Sequence, residues 1–119
     1  MFSNILDVVD SIRRFKADIF QALAHPTRLA ILELLREGEL PVSAILARLG
    51  IEQANASQHL STLRARRLVS NRKSANQVFY SVRDPLLLEV LDLMRRYSMA
   101  HLEEDLALLH ELKAGEASR

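Results

Sequence analysis

Residues 53–82 read QANASQHLSTLRARRLVSNRKSANQVFYSV, and this stretch decides the fold of the chain. Its first half has helical periodicity, with Leu60 and Leu63 marking a buried side and Ala56 one turn earlier. The rest of this helix carries short hydrogen-bonding side chains of the kind that read base edges in a major groove. These are Gln53, Asn55, Ser57, Gln58, Ser61 and Thr62.

The second half of the same stretch predicts a short hairpin. Residues 68–72 and 77–82 are rich in β-prone side chains. They are joined by residues 73–76, a turn in which Asn76 tolerates a left-handed conformation. A polar helix followed by a two-stranded wing predicts a winged helix-turn-helix, and hence DNA binding.

The residues before this stretch supply the rest of the motif. Helical periodicity covers residues 25–35, with Pro26 in the first turn and Gly38 as the stop. Residues 41–50 predict a second short helix that ends at Gly50, a few residues before the polar helix, which is the tight connection that a helix-turn-helix needs. Its apolar residues are expected to pack against Leu60 and Leu63: Ile45, Leu46 and Leu49. A small helical bundle with an incidental hairpin stays open as the alternative.

Charge is distributed unevenly along the chain, although the whole sequence carries only +1. Residues 48–73 contain six basic side chains against Glu52 alone, a local charge of +5. Residues 86–119 contain four basic and seven acidic side chains, a local charge of −3. Cations beside a hydrogen-bonding helix favour contacts to DNA phosphates. The competing interpretation is a solvated surface.

Length and composition limit the remaining classes. The 119 residues suit a single domain, and the lack of cysteine excludes disulfides, thiolate metal sites and thiol redox sensing. No apolar run has the length of a membrane span, and the first residues lack the pattern of a signal peptide. We therefore expect a cytoplasmic protein without a cofactor or a membrane partner.

The two ends of the chain predict dimerisation helices on either side of a central domain at residues 26–82. One helix covers residues 1–24, with Ser3 as its cap, and the other covers residues 84–113. Both have broad apolar stripes that exceed what so small a core covers, which favours a two-fold dimer. The candidate interface residues are Ile5, Val9, Ile12, Leu87, Leu91 and Met94. Alternatively, the two helices cover each other within one chain.

Three segments together resemble the ArsR/SmtB-type transcriptional repressors: residues 22–32, residues 53–60 ending in Ser57-Gln58-His59-Leu60, and the hairpin from Leu68 to Tyr80. The resemblance implies a homodimeric winged-helix repressor whose first and last helices form the interface. It also implies release from a double-stranded operator when an effector binds. The effector and the operator sequence are not readable from the chain.

By position, three residues of the polar helix match DNA-contacting positions of that family, and Arg72 and Lys73 match its wing. Neighbouring polar and basic residues complete our candidate DNA-contacting set, with packing as the alternative role for His59. The full set is Gln53, Asn55, Ser57, Gln58, His59, Thr62, Arg64, Arg72 and Lys73.

The chain departs from the family at both of its metal sites. Where the family's thiol site has Glu-Leu-Cys-Val-Cys, residues 39–43 read ELPVS, so both thiol ligands are replaced. At the family's zinc site on the last helix, Asp84 matches, but the other three positions fall on Leu86, Tyr97 and Ala100. One oxygen ligand does not hold zinc.

A non-standard metal site is one alternative. His101, Glu104 and His110 on the last helix, with an N-terminal ligand such as Asp7, offer the nitrogen and oxygen donors that nickel, cobalt or zinc accept. His101 and His110 are nine residues apart and so point to opposite sides of one helix. We therefore expect a solvated helix end and no metal site.

Two further functional classes are an enzyme and a protein-interaction dimer. Ser57 and His59 are two residues apart on a helix and point in different directions, which argues against a nucleophile–base pair and against an enzyme. A winged-helix dimer used for protein contacts, without DNA binding, remains the third hypothesis beside the repressor and the metal sensor.

Overall fold

In a computed structural model, which describes residues 4–117, these residues form five α-helices and three short strands. The helices are α1 (Ile5–Leu23), α2 (Pro26–Leu34), α3 (Val42–Leu49), α4 (Gln53–Ala65) and α5 (Leu86–Ala117). The strands are β1 (Leu40–Pro41), β2 (Val69–Ser74) and β3 (Gln77–Val82), and a 3₁₀ turn at Leu35–Glu37 ends α2. Residues up to Pro85 form one compact unit and α5 forms another. This architecture confirms the predicted winged helix-turn-helix.

The helix ends follow their capping residues. Asn4 caps α1 by accepting the Asp7 N–H at 2.9 Å; Ser3, the expected cap, lies outside the described residues. His25 caps α2, because its Nδ1 accepts the Thr27 N–H at 3.1 Å. Gly50 ends α3 in the left-handed region, at φ 64°, where glycine has no side chain to clash. The predicted stop at Gly50 is thus confirmed.

The core lies where α2, α3 and α4 meet the sheet. Leu60, Leu63 and Ala56 of α4 are all at most 1% exposed, so the predicted buried side of this helix is confirmed. Ile45 of α3 is fully buried as well, while Leu46 and Leu49 are half-buried. This packing holds α4 rigidly and leaves its opposite side to solvent.

The wing contains a third strand that the sequence analysis did not predict. β1 pairs with β3 through Leu40–Tyr80 and Pro41–Phe79, giving the strand order β1-β3-β2. Pro41 therefore belongs to a strand and caps α3, whereas we expected it inside the helix. An edge strand accommodates proline, because its missing N–H is not required by a second neighbour.

The tip of the wing is tighter than expected. β2 runs to Ser74, which pairs with Gln77, so only Ala75 and Asn76 connect the strands. Ala75 has φ 55°, and Asn76 is not among the residues with positive φ, which makes the expectation of a left-handed Asn76 wrong. The favoured two-residue hairpin turns require positive φ at their first central residue, and that residue is Ala75.

Ala75→Gly should raise the thermal stability of the protein. A left-handed alanine costs about 1–2 kcal/mol, and glycine removes this cost while giving back roughly 0.4–1 kcal/mol through the greater freedom of the unfolded chain. We expect the melting temperature to rise by a few degrees at fixed protein concentration, measured by circular dichroism. An unchanged or lower melting temperature would show that Ala75 is not strained.

A left-handed arginine turns the chain from α4 into the wing. Arg67 has φ 58°, and its N–H donates to the Arg64 carbonyl at 2.9 Å. The next N–H, of Leu68, donates to the Leu63 carbonyl at 3.0 Å, completing a Schellman motif. The helix therefore ends at Ala65, and Leu68 enters the core at 8% exposure.

Helix α5 is a continuous 32-residue helix in which no residue is fully buried. It begins at Leu86, two residues after the predicted start at residue 84, and extends to Ala117, beyond the predicted end at residue 113. Among the described residues, no helix combines the length and apolar character needed to cross a membrane.

Candidate nucleic-acid interface

The solvent side of α4 presents the polar residues that the sequence singled out. Gln58 lies nearly opposite the buried side of the helix, since Ala56, Leu60 and Leu63 face the core. The side chains of Gln53, Asn55, Ser57, Gln58 and Arg64 are all exposed. The helix begins right after Glu52, so its polar N-terminal half is not covered by the turn that precedes it.

A groove separates α4 from the wing, with a cavity volume of about 440 Å³. Gln53, Ser57 and Ser61 line it from α4 at four-residue spacing, which places them on one side of the helix. Its lining contains no charged residue, and its polar groups are hydroxyls and amides. Ser43, Asn76 and Gln77 were not predicted as parts of this surface, because only the fold brings α3 and the wing beside α4.

The other flank of α4 carries the remaining polar candidates. Asn55 and Thr62 lie away from the groove lining. The Thr62 hydroxyl donates to the Gln58 carbonyl at 3.2 Å, so its proton is used within the helix. Thr62 therefore offers a base or a phosphate only the acceptor side of its oxygen.

His59 is a core residue, which contradicts its place in the predicted DNA-contacting set. The residue is 6% exposed, and its ring centroid lies 4.2 Å from that of His25. Arg28 Nε donates to its Nδ1 at 3.2 Å, and Arg28 Nη1 donates to the Ala22 carbonyl at 3.1 Å. Burial, then the neighbouring His25 and Arg28, lower the pKa of His59. Packing, the alternative role for His59, is the one that the structure shows.

Two of the six basic residues in the segment 48–73 are paired with carboxylates. Arg66 Nη1 lies 3.4 Å from Oδ2 of Asp18 on α1. Arg72 Nε donates to the two oxygens of Glu39 at 3.0 and 2.8 Å, and its Cζ lies 4.7 Å from the ring centroid of Phe79. The hydrogen bonds from Arg72 hold the pKa of Glu39 below its usual value, and the same bonds raise the pKa of Arg72.

The other four cations of residues 48–73 are exposed and form no ion pair with another described residue: Arg48, Arg64, Arg67 and Lys73. With Asp18 and Glu39 included, six cations stand against three carboxylates, so the local charge is +3 where the sequence segment alone suggested +5. The surface around α4 and the wing remains positive, which favours an anionic partner.

The two basic residues of the wing lie on opposite faces of the sheet. Arg72 pairs with Phe79 and Lys73 pairs with Val78, and successive strand residues point to opposite sides. Val78 lines the groove, so Lys73 shares the face that looks toward α4. Arg72 lies over Phe79 on the other face. The two residues were predicted to act together on the wing, and the fold places them on different faces of it.

The candidate interface residues of α1 and α5 are largely uncovered within the single chain. Ile5, Val9 and Ile12 are 77%, 44% and 54% exposed. On α5, Met94 is 51% exposed, while Leu87 and Leu91 are half-buried. Exposed apolar stripes of this size are typical of partner interfaces.

The histidines of α5 stand on an exposed helix end. His101 Nδ1 lies 3.7 Å from Glu104 Oε2, one turn away, and its ring meets the edge of Tyr97. His110 is nine residues further along the same continuous helix and is exposed. Within residues 4–117, no group of three or more histidine and carboxylate side chains is placed to hold a metal ion.

The comparison with known families and proteins agrees with this geometry. Residues 25–71, from the cap of α2 into β2, match the model of the family described as bacterial regulatory protein, arsR family. The chain is 38% identical over 103 residues to the uncharacterized HTH-type transcriptional regulator Rv0081 of Mycobacterium tuberculosis, covering 86% of this chain and 90% of that protein.

Solved structures show the same fold. The crystal structure of Rv0081 is 35% identical, with a TM-score of 0.73 over 80% of this chain and 96% of that one. The homodimeric winged helix-turn-helix DNA-binding domain of Mb0332 from Mycobacterium bovis is 29% identical, with a TM-score of 0.77 over 87% and 95%. The transcriptional repressor BigR from Xylella fastidiosa is 26% identical, with a TM-score of 0.68 over 79% and 96%.

Proposed function

This chain belongs to the ArsR family of bacterial regulatory proteins, and from that premise we propose that it is a homodimeric, DNA-binding transcriptional repressor. The observation that carries the proposal is the exposed polar side of α4 above a fully buried apolar side. An exposed helix of this kind enters a major groove, and its amides suit adenine.

Each part of the surface has a role in this proposal. Gln58 and Asn55 read base edges from α4, and Gln53 and Ser57 do so from the groove side. Lys73 on the wing and Arg64 at the end of α4 bind phosphates, as exposed cations without a carboxylate partner among the described residues. The groove between α4 and the wing, lined with hydroxyls and amides, adds uncharged hydrogen-bonding groups beside the polar side of α4.

The proposed operator-binding surface needs the recognition helices of two subunits. A two-fold axis through a homodimer sets two recognition helices about one DNA turn apart, so a palindromic operator is expected. We propose that α1 and α5 form this interface through their exposed apolar stripes, with Ile5, Val9, Ile12 and Met94 at its centre. Control of release needs something other than a thiol-bound metal, because the sequence has no cysteine.

A salt-dependent binding experiment tests this function. Purified protein is titrated with a duplex from the region upstream of its own gene and with a random duplex, between about 50 and 200 mM salt. We expect tighter binding to the upstream duplex and a log–log slope of about −0.9 per phosphate contact. Failure to bind either duplex at the lowest salt would leave a protein-interaction dimer as the function.

Gln58→Ala should relax recognition at one base position. If the Gln58 amide bonds a base edge, its loss removes about 1–3 kcal/mol of discrimination there, while binding to random DNA changes little. The measurement is a set of affinities for operator duplexes substituted one position at a time. Gln21→Ala makes the same chemical change on the exposed surface of α1 and should leave every affinity unchanged. Equal effects of both substitutions would argue against base reading by Gln58.

A further inference from the structure

An ion pair joins the two edges of the sheet, between the carboxylate of Glu39 and the guanidinium of Arg72. Glu39 precedes β1, whereas Arg72 belongs to β2, so the guanidinium extends across the intervening β3. Two nitrogens of Arg72 donate to the carboxylate, Nε at 2.8 and 3.0 Å and Nη2 to Oε1. Phe79 supports the guanidinium from below. The bridge therefore keeps Arg72 in one place on the outer face of the wing.

An exposed bridge of this kind contributes little to folding. The Arg72 side chain is 55% exposed, so an approaching anion reaches it through solvent. The planar guanidinium of arginine presents parallel N–H donors, which bind carboxylates and phosphates alike. Glu39 consequently competes with any DNA phosphate for the two nitrogens of Arg72 that point toward it.

We propose that Glu39 is a specificity-determining residue, which withholds Arg72 from loosely bound DNA of any sequence. Non-specific binding depends on phosphate contacts, so the loss of one contact weakens it directly. A well-docked operator brings a phosphate close enough to displace the carboxylate, and Arg72 then adds its contact. This inference rests on the proposed DNA-binding function and concerns a residue outside the recognition helix.

The test is Glu39→Gln in the full-length protein, with a random-sequence duplex as the probe. Glutamine keeps the size of the side chain and removes the charge that holds Arg72. We expect binding to random DNA to tighten roughly threefold to tenfold at low salt, and the log–log salt slope to steepen by about 0.9. The gain on the upstream duplex should be smaller, so the ratio of the two affinities falls.

Two control variants distinguish the loss of the Glu39–Arg72 bridge from the general effect of removing a negative charge. Glu37→Gln removes an exposed carboxylate two residues away that is not bonded to Arg72, and it should give a clearly smaller gain with an unchanged slope. Adding Arg72→Ala to Glu39→Gln should abolish the gain and return the slope to that of the wild type. Unfolding measured by circular dichroism should be the same for the wild type, Glu39→Gln and Glu37→Gln.

The outcomes distinguish this inference from the function on which it rests. If the wild type binds DNA with a salt slope and Glu39→Gln changes neither affinity nor slope, the competition is refuted and the function stands. Weaker binding by Glu39→Gln would also refute it, because the bridge would then position the wing for DNA. If neither protein binds either duplex, the proposed function itself fails.

Discussion

Ile12→Glu should convert the dimer into monomers at micromolar concentration and remove most of its operator affinity. A carboxylate buried without a partner costs several kcal/mol, and two-fold symmetry places two of them in one interface. Ile12 is 54% exposed in the single chain, so the fold of each subunit should survive. A monomer also loses the avidity of two linked half-sites, which is worth roughly a hundredfold to ten-thousandfold.

Sedimentation and the salt-dependent titration together measure this effect. Ala17→Glu is the matched control, because Ala17 is exposed on α1 but lies off the apolar stripe that contains Ile5, Val9 and Ile12. It should remain dimeric and bind the upstream duplex as the wild type does. A dimeric Ile12→Glu protein would place the interface elsewhere than on this stripe of α1.

The sequence was sufficient for those parts of the fold that depend on local patterns. Helical spacing predicted the buried side of α4 correctly, since Ala56, Leu60 and Leu63 are buried. The stop at Gly50 was also predicted, because it depends on one residue and the backbone next to it. Local rules hold where the deciding interaction spans fewer than about five residues.

The features that the sequence analysis missed depend on distant partners. β1 consists of two residues, and only its pairing with β3, about 40 residues later, makes it a strand. The bridge from Glu39 to Arg72 spans 33 positions, and the hydrogen bond from Arg28 to His59 spans 31. Arg72 was assigned to DNA because it is a cation at a position that matches the family's wing, and His59 because it lies on the polar helix. The fold brings the Glu39 carboxylate to Arg72, where it competes with DNA phosphates. The fold also buries His59 in the core beside Arg28.

The contacts of His59 connect the recognition helix to the rest of the core. Arg28 donates both to His59 on α4 and to the Ala22 carbonyl near the end of α1. His25 caps α2 and lies against the same ring. Because Nδ1 of His59 accepts a hydrogen bond, it has to be unprotonated, and a second cation beside Arg28 would be unfavourable.

The stability of the protein should therefore fall as the pH drops below about 6.5, the ordinary pKa of histidine. The pKa of His59 is lowered in the fold, first by burial and then by His25 and Arg28. Below pH 6.5, His59 binds a proton in the unfolded chain but stays unprotonated in the folded chain. The free energy of unfolding then decreases by up to about 1.4 kcal/mol per pH unit, until the lowered pKa is reached.

Urea unfolding followed between pH 8 and pH 5 measures this loss, and His59→Asn isolates its source. Asparagine offers an acceptor near the position of Nδ1 and does not titrate, so the Arg28 hydrogen bond has a replacement partner. The variant should lose less stability on acidification, with a slope of unfolding free energy against pH that is shallower by as much as about 1.4 kcal/mol per pH unit. If the free energy of unfolding has the same pH dependence in wild type and variant, protonation of His59 does not destabilise the folded chain.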